Sequence, residues 1–566
     1  METNPPAPPP ATETSLAVRI GWLALILVTL YVCYFSHLGV IGLVGPDEPR
    51  YAWIARAMAE TGDWVTPRLY GQPWFEKPPL YYWGAALSFK LFGVSEVAAR
   101  LPSAISALLA TLALAWLALR IYGAETARWL LLLLPTTVGM IGFSHAAATD
   151  MPFSAMLTIA MVAAAVVLGL IPEANQVLRR ASEPALAPSS FPTLTSSTSI
   201  TFVIFGFFLG LAVLAKGPAG IVLCGGAVLF WALVTKRWRD AFRLFHPAAI
   251  AAFCLTALPW YILCAHRNAD FLRIFIIEHN FKRYLTPEFQ HIQPFWYYAE
   301  IILLAFLPWM AALVWTLVAG LRHVSQTRRL SAFTWLLLCW AGFGLVFFTI
   351  SRSKLPGYIL PAVPAIGLLV CRVATSLASR KHRSFGLASL AAGLLFTGAF
   401  AVMHAYDERS LKSLVAFAVL FGLILLALAL ANLLLGIFSL LSCRNAALVL
   451  AVLPILLAFA LVDEILPFTP ASILSPRYLA YQLQANQVPL ADLHVVGIRR
   501  STLYGLNFYL RIDLQEWDRD PSHESYVLAT GRLPCSKIPE TMSCSDLWGA
   551  ADKIDQLELL HLTPKH

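Results

Sequence analysis

The chain has little charge for its length. Asp, Glu, Lys and Arg make up 13% of its 566 residues, whereas 58% of the residues are hydrophobic. Soluble domains carry about a quarter charged residues. Runs of about 20 apolar residues, enough for a helix to cross a bilayer, recur along most of the chain. The composition therefore predicts a polytopic α-helical membrane protein, because the lipid-facing sides of such helices would have no partner in water.

Several short motifs are also missing. The nine cysteines include no CxxC pair and no zinc-finger spacing. No glycine-rich fingerprint follows a strand, which argues against a nucleotide-binding domain. Most cysteines lie in apolar runs, where the thiol acts as a small apolar side chain. Cys535 and Cys544 instead lie close together in the polar tail, where a disulfide is expected in preference to two free thiols.

About thirteen apolar runs are long enough to cross a bilayer. With the N-terminus inside, most even-numbered turns are rich in Lys and Arg, as the positive-inside rule expects. These turns explain the net charge of +9, which therefore does not indicate a nucleic-acid partner. The odd-numbered turns carry cations and carboxylates together and fall on the outer face. The predicted spans are Ser15–Ser36, Val97–Leu119, Thr126–Phe143, Met151–Ile171, Ile200–Ala215, Ala219–Val234, Pro247–Ala265, Pro294–Gly320, Ser331–Ile350, Leu355–Val370, Phe385–His404, Leu414–Leu441 and Ala447–Val462.

The predicted organisation has three parts. Residues 1–14, with the run "PPAPPP", are expected to be disordered. Residues 15–468 form the transmembrane domain, with an outer loop at 45–96 that holds interfacial helices and a cytoplasmic loop at 172–198. Residues 469–566 form a small outer domain of mixed α/β structure, in which "LHVVGI" and "SYVLAT" indicate strands. The predicted fold class is an all-α polytopic membrane protein of about 13 transmembrane helices, with this small domain outside the membrane.

The first outer loop concentrates charge. "EPRYAWIARAM" has apolar residues at helical spacing, which predicts a helix along the membrane surface. Asp47 is suited to cap this helix, and the cations are suited to reach lipid headgroups. Neither role explains why so many charges gather at the mouth of one bundle. Two carboxylates there suit proton transfer and positioning, and cations suit a lipid phosphate. The charged residues at this mouth are Asp47, Glu48, Arg50, Glu76 and Lys77.

A set of motifs in order along the first 370 residues resembles one superfamily. Its members are the polyprenyl-phosphate-sugar glycosyltransferases of the GT-C type, which include protein O-mannosyltransferases and the aminoarabinose transferase that modifies lipid A. The tail from Thr469 carries no motif of its own. The motifs are "GPDEPRYAWIARAM", "GQPWFEKPPLYYW", "ATDMPF", "LAKGP", "EHNFKRY", "QPFWYY" and "SRSKLPGYILP".

The resemblance implies a GT-C fold and a sugar transfer on the outer face of the membrane. It implies a donor in which the sugar is carried on a long-chain polyprenyl phosphate. The departing phosphate gains negative charge, which fixed cations stabilise in a partly dry cavity, and the anomeric carbon gains oxocarbenium character. The acceptor stays open among lipid A, another glycolipid, a polysaccharide and a protein hydroxyl. The expected location is a bacterial inner membrane, with the active site and the tail in the periplasm.

The resemblance also gives roles to individual residues. Each role competes with a structural one: Asp150 also suits a helix N-cap, Lys216 also suits headgroup contact, and Tyr358 also suits an aromatic belt. The catalytic candidates are Asp47, Glu48 and Asp150. The candidates for binding the donor phosphate are Arg50, Lys77, Lys216, Arg283, Arg352, Lys354 and Tyr358. The candidate ligands for a divalent metal cation, the one cofactor considered, are Glu76 and His279.

Three other functions compete with this interpretation. A transporter or lipid flippase for a lipid-linked sugar also places polar residues at membrane level, but near the bilayer midplane and often with internal repeats, which are absent from this sequence. An O-antigen ligase or polymerase shares the lipid-linked donor but lacks the ordered motifs. A scaffold or receptor has no need for carboxylates and cations around one cavity. The transporter is therefore the main alternative.

Overall fold

A computed structural model describes most of the chain. Residues 1–14, most of the predicted loop 172–198, and the predicted domain boundary at Thr469 lie outside the described residues. The helix after this loop begins at Ser196, inside the predicted loop. The described residues are 15–171, 196–282, 293–327, 330–376, 379–410, 415–441, 443–465, 475–518, 523–530, 538, 541–548 and 557–565.

The described residues contain as many apolar segments as the sequence predicts. Nine helices are long and apolar enough to cross a membrane, and two pairs of helices pass the same test together but bend by 61° and 119°. Two shorter apolar helices, Ala219–Thr235 and Asn445–Leu461, lie among them. These single helices, bent pairs and shorter helices overlap the thirteen predicted spans one for one. The chain is therefore a multi-pass membrane protein.

Helices make up most of the membrane domain, because a backbone in lipid must satisfy its hydrogen bonds within the same segment. The bent pairs are Ala124–Leu133 with Val138–Ser144, and Tyr297–Ala305 with Met310–Thr327. The other long helices are Leu16–Tyr34, Glu96–Tyr122, Asp150–Val167, Ser196–Lys216, Ala219–Thr235, Pro247–Arg267, Ala332–Ile350, Val363–Thr375, Ser379–Ser410, Val415–Leu440 and Arg444–Ile465. Shorter helical segments are Asp47–Thr61, Leu80–Phe92, Trp238–Phe242, Arg243–Phe245, Arg273–Lys282 and Pro356–Ala362.

Each bent pair breaks at a proline. Pro135 follows the first helix of one pair, and Pro308 lies between the two helices of the other. A proline has no N–H to donate and its ring clashes with the preceding turn, so it ends a helix. The two breaks lie side by side, because the backbone N–H of Val138 donates to the carbonyl of Leu307 at 2.9 Å. This hydrogen bond therefore satisfies one donor at the first break and one acceptor at the second.

The first outer loop folds into two helices joined by a hairpin. Strands β1 (Arg68–Leu69) and β2 (Gln72–Pro73) form the hairpin between helices Asp47–Thr61 and Leu80–Phe92. The helix predicted in this loop is therefore present. Its N-cap is Pro46, so the capping role considered for Asp47 is wrong.

The helix Asp47–Thr61 is covered on two sides. It packs against Leu80–Phe92 and against the helix Arg500–Leu510 of the tail. Tyr51, Ile54 and Ala55 are buried there. The helix Asp47–Thr61 is therefore held between the second helix of its own loop and the outer domain.

A buried ion pair holds this loop to the bundle. The Arg100 guanidinium donates from Nη2 and Nε to the two carboxylate oxygens of Glu48, at 2.8 and 3.0 Å. The same carboxylate accepts hydrogen bonds from the backbone N–H groups of Val44 and Ala147, at 2.7 and 2.6 Å. All five N–H donors of Arg100 are used, as a buried ion pair requires. The remaining acceptors are the carbonyls of Leu38, Ile41 and Gly42.

A second polar group docks the tail on the same loop. Arg477 donates to Glu96 at 3.2 Å and to the carbonyl of Val40 at 2.7 Å. The Tyr509 hydroxyl donates to Glu96 at 3.0 Å and accepts a hydrogen bond from the backbone N–H of Leu43 at 2.7 Å. Because Glu96 begins the helix that carries the buried arginine, the tail and the loop share one anchoring point.

The tail folds into a five-stranded sheet with helices, as predicted for a mixed α/β domain. Its strands are β3 (Leu493–Val496), β4 (Gln515–Glu516), β5 (Ser525–Thr530), β6 (Met542–Asp546) and β7 (Leu557–Pro564), in the order β4-β3-β5-β7-β6. Strand β3 pairs in parallel with β4 and β5, and β7 pairs antiparallel with β5 and β6. The two strands predicted from sequence, β3 and β5, are neighbours. The helical segments are Arg477–Ala485, Leu490–Asp492 and Arg500–Leu510.

The cysteines divide between the membrane domain and the tail. Cys544 on β6 is disulfide-bonded, as predicted, and its predicted partner Cys535 lies outside the described residues. The free cysteines of the described residues are Cys33, Cys224, Cys254, Cys264, Cys339, Cys371 and Cys443.

We expect Glu48→Gln to lower the stability of the fold, because Arg100 would keep a buried charge without a carboxylate. Breaking a buried ion pair in this way costs about 3–5 kcal/mol. The measurement is the apparent melting temperature of the full chain in detergent. Asp270→Asn is the control, because Asp270 and Arg273 are both mostly exposed and such pairs contribute at most about 1 kcal/mol. Equal losses in the two variants would contradict the central role of this pair.

Candidate active site

Arg50 lies between two carboxylates of the first outer loop. It is 2.6 Å from Asp47 and 3.0 Å from Glu76. The side chains of Arg50 and Glu76 are 12% and 10% exposed, whereas that of Asp47 is 57% exposed. Helical spacing brings Asp47 and Arg50 together, because residues three apart lie on one face. Asp47 is therefore open to solvent, while Arg50 and Glu76 lie deeper.

Three buried donors near Arg50 have no hydrogen-bond partner among the described residues. They are Arg50 Nε, Trp74 Nε1 and the Tyr82 hydroxyl. The guanidinium lies 5.7 Å from the centre of the Trp74 ring. Buried donors without a partner are rare, and each calls for an explanation such as a bound water or ion or a catalytic role. This group of donors marks the surroundings of Arg50 as a candidate binding site.

The same carboxylates fix the protonation of their neighbours. Burial by itself lowers the pKa of Arg50, but the negative charges of Glu76 and Asp47 outweigh it and raise this pKa. Burial raises the pKa of Tyr82, and Glu76 raises it further. The guanidinium therefore stays charged and the phenol stays a neutral donor at physiological pH.

Lys216 and Asp150 form a second ion pair at the ends of two membrane helices. The Lys216 Nζ is 2.5 Å from Asp150 Oδ1. The ammonium also lies 4.9 Å from the ring centre of Tyr358 and 5.5 Å from that of Phe153. The N-cap of the helix Asp150–Val167 is Thr149, so the capping role considered for Asp150 is wrong. Its carboxylate instead neutralises a lysine that is 11% exposed.

Gly357 explains how three sequence motifs meet at this pair. A Cβ at this position would be 2.5 Å from Asp150 Oδ1, so only glycine allows the turn Pro356–Ala362 to approach so closely. Tyr358 follows in the same turn and contacts Lys216. The motifs "ATDMPF", "LAKGP" and "SRSKLPGY" therefore place Asp150, Lys216 and Tyr358 at one point.

The first outer loop reaches toward this second pair. Phe75, next to Glu76, packs in one apolar cluster with Leu214, two residues before Lys216. Lys77 follows in the same segment and is half-buried. The loop before Asp150 is also fixed, because Ala147 donates its backbone N–H to Glu48. The candidate residues of the loop and of the helix ends thus lie at the same end of the bundle.

The segment before Tyr358 holds two further candidate cations. Lys354 is buried, and its Nζ donates to the carbonyl of Gln293 at 3.1 Å. Arg352 is exposed. The Tyr298 hydroxyl donates to the carbonyl of Leu355 at 3.3 Å. The motif "QPFWYY" therefore packs beside "SRSKLPGY", with Lys354 between them.

The described residues do not assemble a metal site. They contain no group of three or more His, Cys, Asp or Glu side chains that could hold a metal ion. Glu76 is paired with Arg50, which competes with a metal for the same carboxylate. His279 lies in the helical segment Arg273–Lys282, and Arg283 lies outside the described residues. The metal cation stays a prediction from sequence.

Glu48 differs from the other two predicted catalytic carboxylates. Its oxygens are occupied by Arg100 and by two backbone N–H groups, and its side chain is 8% exposed. This geometry favours a positioning role over proton transfer. Arg100 is absent from the residues predicted from sequence. Its location in a membrane span is the signal that identifies it, because ionisable residues there are rare and paired.

Similarity to known proteins covers a large part of the chain. A family model described as dolichyl-phosphate-mannose-protein mannosyltransferase matches residues 20–275. An undecaprenyl phosphate-alpha-4-amino-4-deoxy-L-arabinose arabinosyl transferase of Edwardsiella ictaluri (strain 93-146) is 30% identical over 66% of this chain and 63% of its own length. A second such transferase, from Sodalis glossinidius (strain morsitans), is 32% identical over 67% of this chain and 64% of its own length.

The fold is also similar to a solved structure. The crystal structure of ArnT from Cupriavidus metallidurans bound to undecaprenyl phosphate aligns with a TM-score of 0.77 and 24% identity. The alignment covers 97% of this chain and 98% of that chain. This similarity establishes the fold, which is the GT-C fold predicted from the sequence.

The fold and the sequence matches together define the class of protein. The chain is similar in sequence and in fold to the polyprenyl-phosphate-sugar glycosyltransferases of the GT-C superfamily. Within that superfamily, its sequence relatives include the bacterial aminoarabinose transferases named above. The match spans 63% and 64% of the length of those two relatives, so the reaction and substrates of this chain are proposals.

We expect Gly357→Ala to separate Asp150 from Lys216, because the added Cβ overlaps the carboxylate. Lys216 should then react severalfold faster with acetic anhydride, as measured by mass spectrometry of the full chain. Gly344→Ala is the control, because a Cβ at that position meets no atom within 4 Å. Unchanged acetylation of Lys216 in a folded Gly357→Ala protein would contradict the close approach.

Proposed function

We propose that this protein moves a sugar from a polyprenyl-phosphate donor to an acceptor at the outer face of a bacterial inner membrane. The observation that carries the proposal is the Lys216–Asp150 pair with Tyr358, at the ends of membrane helices and beside the loop that holds Arg50. Buried cations at a membrane surface suit an anion that arrives on a lipid. The matched relatives carry undecaprenyl phosphate in their names, which supports this class of donor.

In the proposed reaction the cations act on the donor phosphate. Lys77, Lys216 and Lys354 come from three motifs at one end of the bundle, and Arg352 lies at the exposed edge. The bond between the anomeric carbon and the phosphate oxygen breaks, and its electron pair stays on the phosphate. Fixed cations in a partly dry site stabilise this charge without reorganisation. In this scheme Asp150 holds Lys216 in place until the phosphate arrives.

Asp47 is the proposed residue on the acceptor side. It is the most exposed carboxylate of the Arg50 group, at 57%, so an acceptor can reach it. For a hydroxyl acceptor, the acceptor oxygen bonds to the anomeric carbon and Asp47 takes the proton. For a phosphate acceptor, no proton needs to be removed, and Asp47 with Arg50 orients the acceptor.

The proposed donor sugar is an aminoarabinose and the proposed acceptor is a glycolipid such as lipid A. The names of the relatives support the sugar. The tail covers the far part of the helix that begins at Asp47, where Arg56 donates to the carbonyl of Phe508 at 3.5 Å. An acceptor must therefore approach along the membrane surface or past the tail, which favours an amphiphilic acceptor. This arrangement requires the site and the tail to face the periplasm.

A transporter is less well supported. Asp150 begins a helix and Lys216 ends one, so this ion pair lies at the end of the bundle. Transporters bind their substrates near the bilayer midplane, commonly at broken helices. The position of the charges therefore favours chemistry at the membrane surface.

The first test is sugar transfer or hydrolysis by the purified protein in lipid, with a panel of radiolabelled polyprenyl-phosphate sugars. We expect one donor to turn over, and Asp47→Asn and Lys77→Ala each to reduce that turnover strongly. Both variants must purify as folded protein for the comparison to hold. If the wild type turns over no such donor and binds none, the proposal fails and the transporter becomes the leading interpretation.

A second prediction distinguishes a direct role of the Lys216 charge in the reaction from a general effect of lowering the net charge of the protein. Lys216→Met should lower the transfer rate by about 10²–10³-fold, the effect of removing one stabilising donor from an electrostatic site. Lys90→Met removes the same charge from an exposed lysine near Trp64 and should leave the rate near that of the wild type. Similar rates for the two variants would exclude a direct role for Lys216.

A further inference from the structure

A large apolar cavity lies between three membrane helices. Its volume is 510 Å³, within the range of about 300–1,000 Å³ that is typical of ligand sites. Its walls come from the helices Ser196–Lys216, Ala219–Thr235 and Pro247–Arg267, and the segment 238–245 closes one end. No residue that lines the cavity carries a charge. Such walls suit a hydrocarbon chain and exclude a sugar or a phosphate, which would lose its hydrogen bonds to water.

The cavity is separate from the candidate active site. The wall residues nearest to Lys216 in the chain are Ile221, five residues after it, and Leu209, seven before it, which is roughly 8–10 Å along a helix that rises about 1.5 Å per residue. The helix Ala219–Thr235 leads from the Lys216 turn to the closed end of the cavity, and its 17 residues span roughly 25 Å. The cavity therefore lies toward the other face of the membrane.

The closed end of the cavity is basic. The segment 236–245 contains four cationic residues and one carboxylate, Asp240. Arg237 binds that carboxylate at 2.6 Å and donates to the carbonyl of Leu168 at 3.3 Å. Two of the other cations, Lys236 and Arg239, are exposed. The segment therefore presents net positive charge to the membrane surface, on the face predicted to be cytoplasmic.

The same segment carries aromatic side chains that reach both the cavity and the outside. Phe242 and Phe245 line the cavity and are 66% and 68% exposed. Trp238 also lines it and is 38% exposed. Aromatic and basic residues together are typical of segments at the level of lipid headgroups. A lipid at this position can place its headgroup beside the cations and a chain in the cavity.

We propose that this cavity is a binding site for an anionic glycerophospholipid, with an acyl chain between the helices and the phosphate beside Lys236 and Arg239. The apolar walls select a lipid over a soluble anion. The excess of cations selects an anionic headgroup over a zwitterionic one, because basic residues near a membrane surface attract anionic lipids. The site is independent of the proposed sugar transfer, since it shares no residue with the active site.

The test is lipid binding by the full chain in detergent, measured by native mass spectrometry with phosphatidylglycerol or phosphatidylcholine. Gly225→Leu fills the cavity, because Gly225 lines it and an added Cβ there meets no atom within 4 Å. We expect this variant to lose the bound phosphatidylglycerol. Gly21→Leu is the matched control, because Gly21 also has no atom within 4 Å of an added Cβ but lies on a different helix.

The headgroup is tested by a charge change outside the cavity. Arg239→Gln should weaken phosphatidylglycerol binding about fivefold, the factor expected for one cation near an anionic lipid, and leave phosphatidylcholine binding unchanged. Arg120→Gln is its control, because Arg120 is another exposed cation on the face predicted to be cytoplasmic. Because Arg239 is at the surface, this variant tests the proposal even if Gly225→Leu fails to fold.

Three results would overturn the proposal. The first is equal binding of phosphatidylglycerol by the wild type and by folded Gly225→Leu. The second is that the wild type binds phosphatidylglycerol and phosphatidylcholine equally, and that Arg239→Gln and Arg120→Gln change phosphatidylglycerol binding by the same factor. The third is displacement of phosphatidylglycerol by an equal concentration of polyprenyl phosphate, which would assign the cavity to the chain of the sugar donor.

Discussion

The buried ion pair between Arg100 and Glu48 is the interaction on which the outer end of this protein depends. It joins the loop before the first surface helix, that helix, a membrane helix and the loop before Asp150. Taking two charges out of water is costly, and the attraction between them offsets the cost only when every donor and acceptor is used. Here the guanidinium uses all five donors, so the pair fixes the geometry of the segments around it.

The candidate active site is built on that frame from ion pairs of a different kind. Arg50 is bound to Asp47 and Glu76, and Lys216 is bound to Asp150. Each cation is already neutralised without a ligand, which keeps the charge stable where the side chain is largely buried. A donor phosphate would then exchange one anionic partner for another. This exchange is less costly than burying a new unpaired charge, and it leaves the cations in position.

The two ends of the same helices have different chemistry. The ends near Lys216 carry charged and aromatic groups, whereas the opposite end encloses an apolar cavity beside a basic segment. A bound phospholipid between the helices Ser196–Lys216 and Ala219–Thr235 would brace the two helices that meet at the turn of Lys216.

Much of the fold could be predicted, because hydropathy and motif order are local properties of the sequence. The apolar runs predicted the membrane segments one for one, and the segments "LHVVGI" and "SYVLAT" predicted two of the strands in the tail. The ordered motifs also selected Asp150, Lys216 and Tyr358, which the structure brings together. The bends at Pro135 and Pro308 were not predicted. Both prolines lie within predicted spans, and a hydropathy pattern contains no information about the angle between two helices.

The sequence by itself determined that the chain crosses the membrane many times and that its unusual charges gather at one end. Only the tertiary structure decided which charge pairs with which. Glu48 and Arg100 are 52 residues apart, and Asp150 and Lys216 are 66 apart. Two neighbouring carboxylates therefore have different environments. Glu48 is buried and fully hydrogen-bonded, whereas Asp47 next to it is open to solvent. The physical reason is that burial and pairing depend on how distant helices pack, which no local pattern of residues contains.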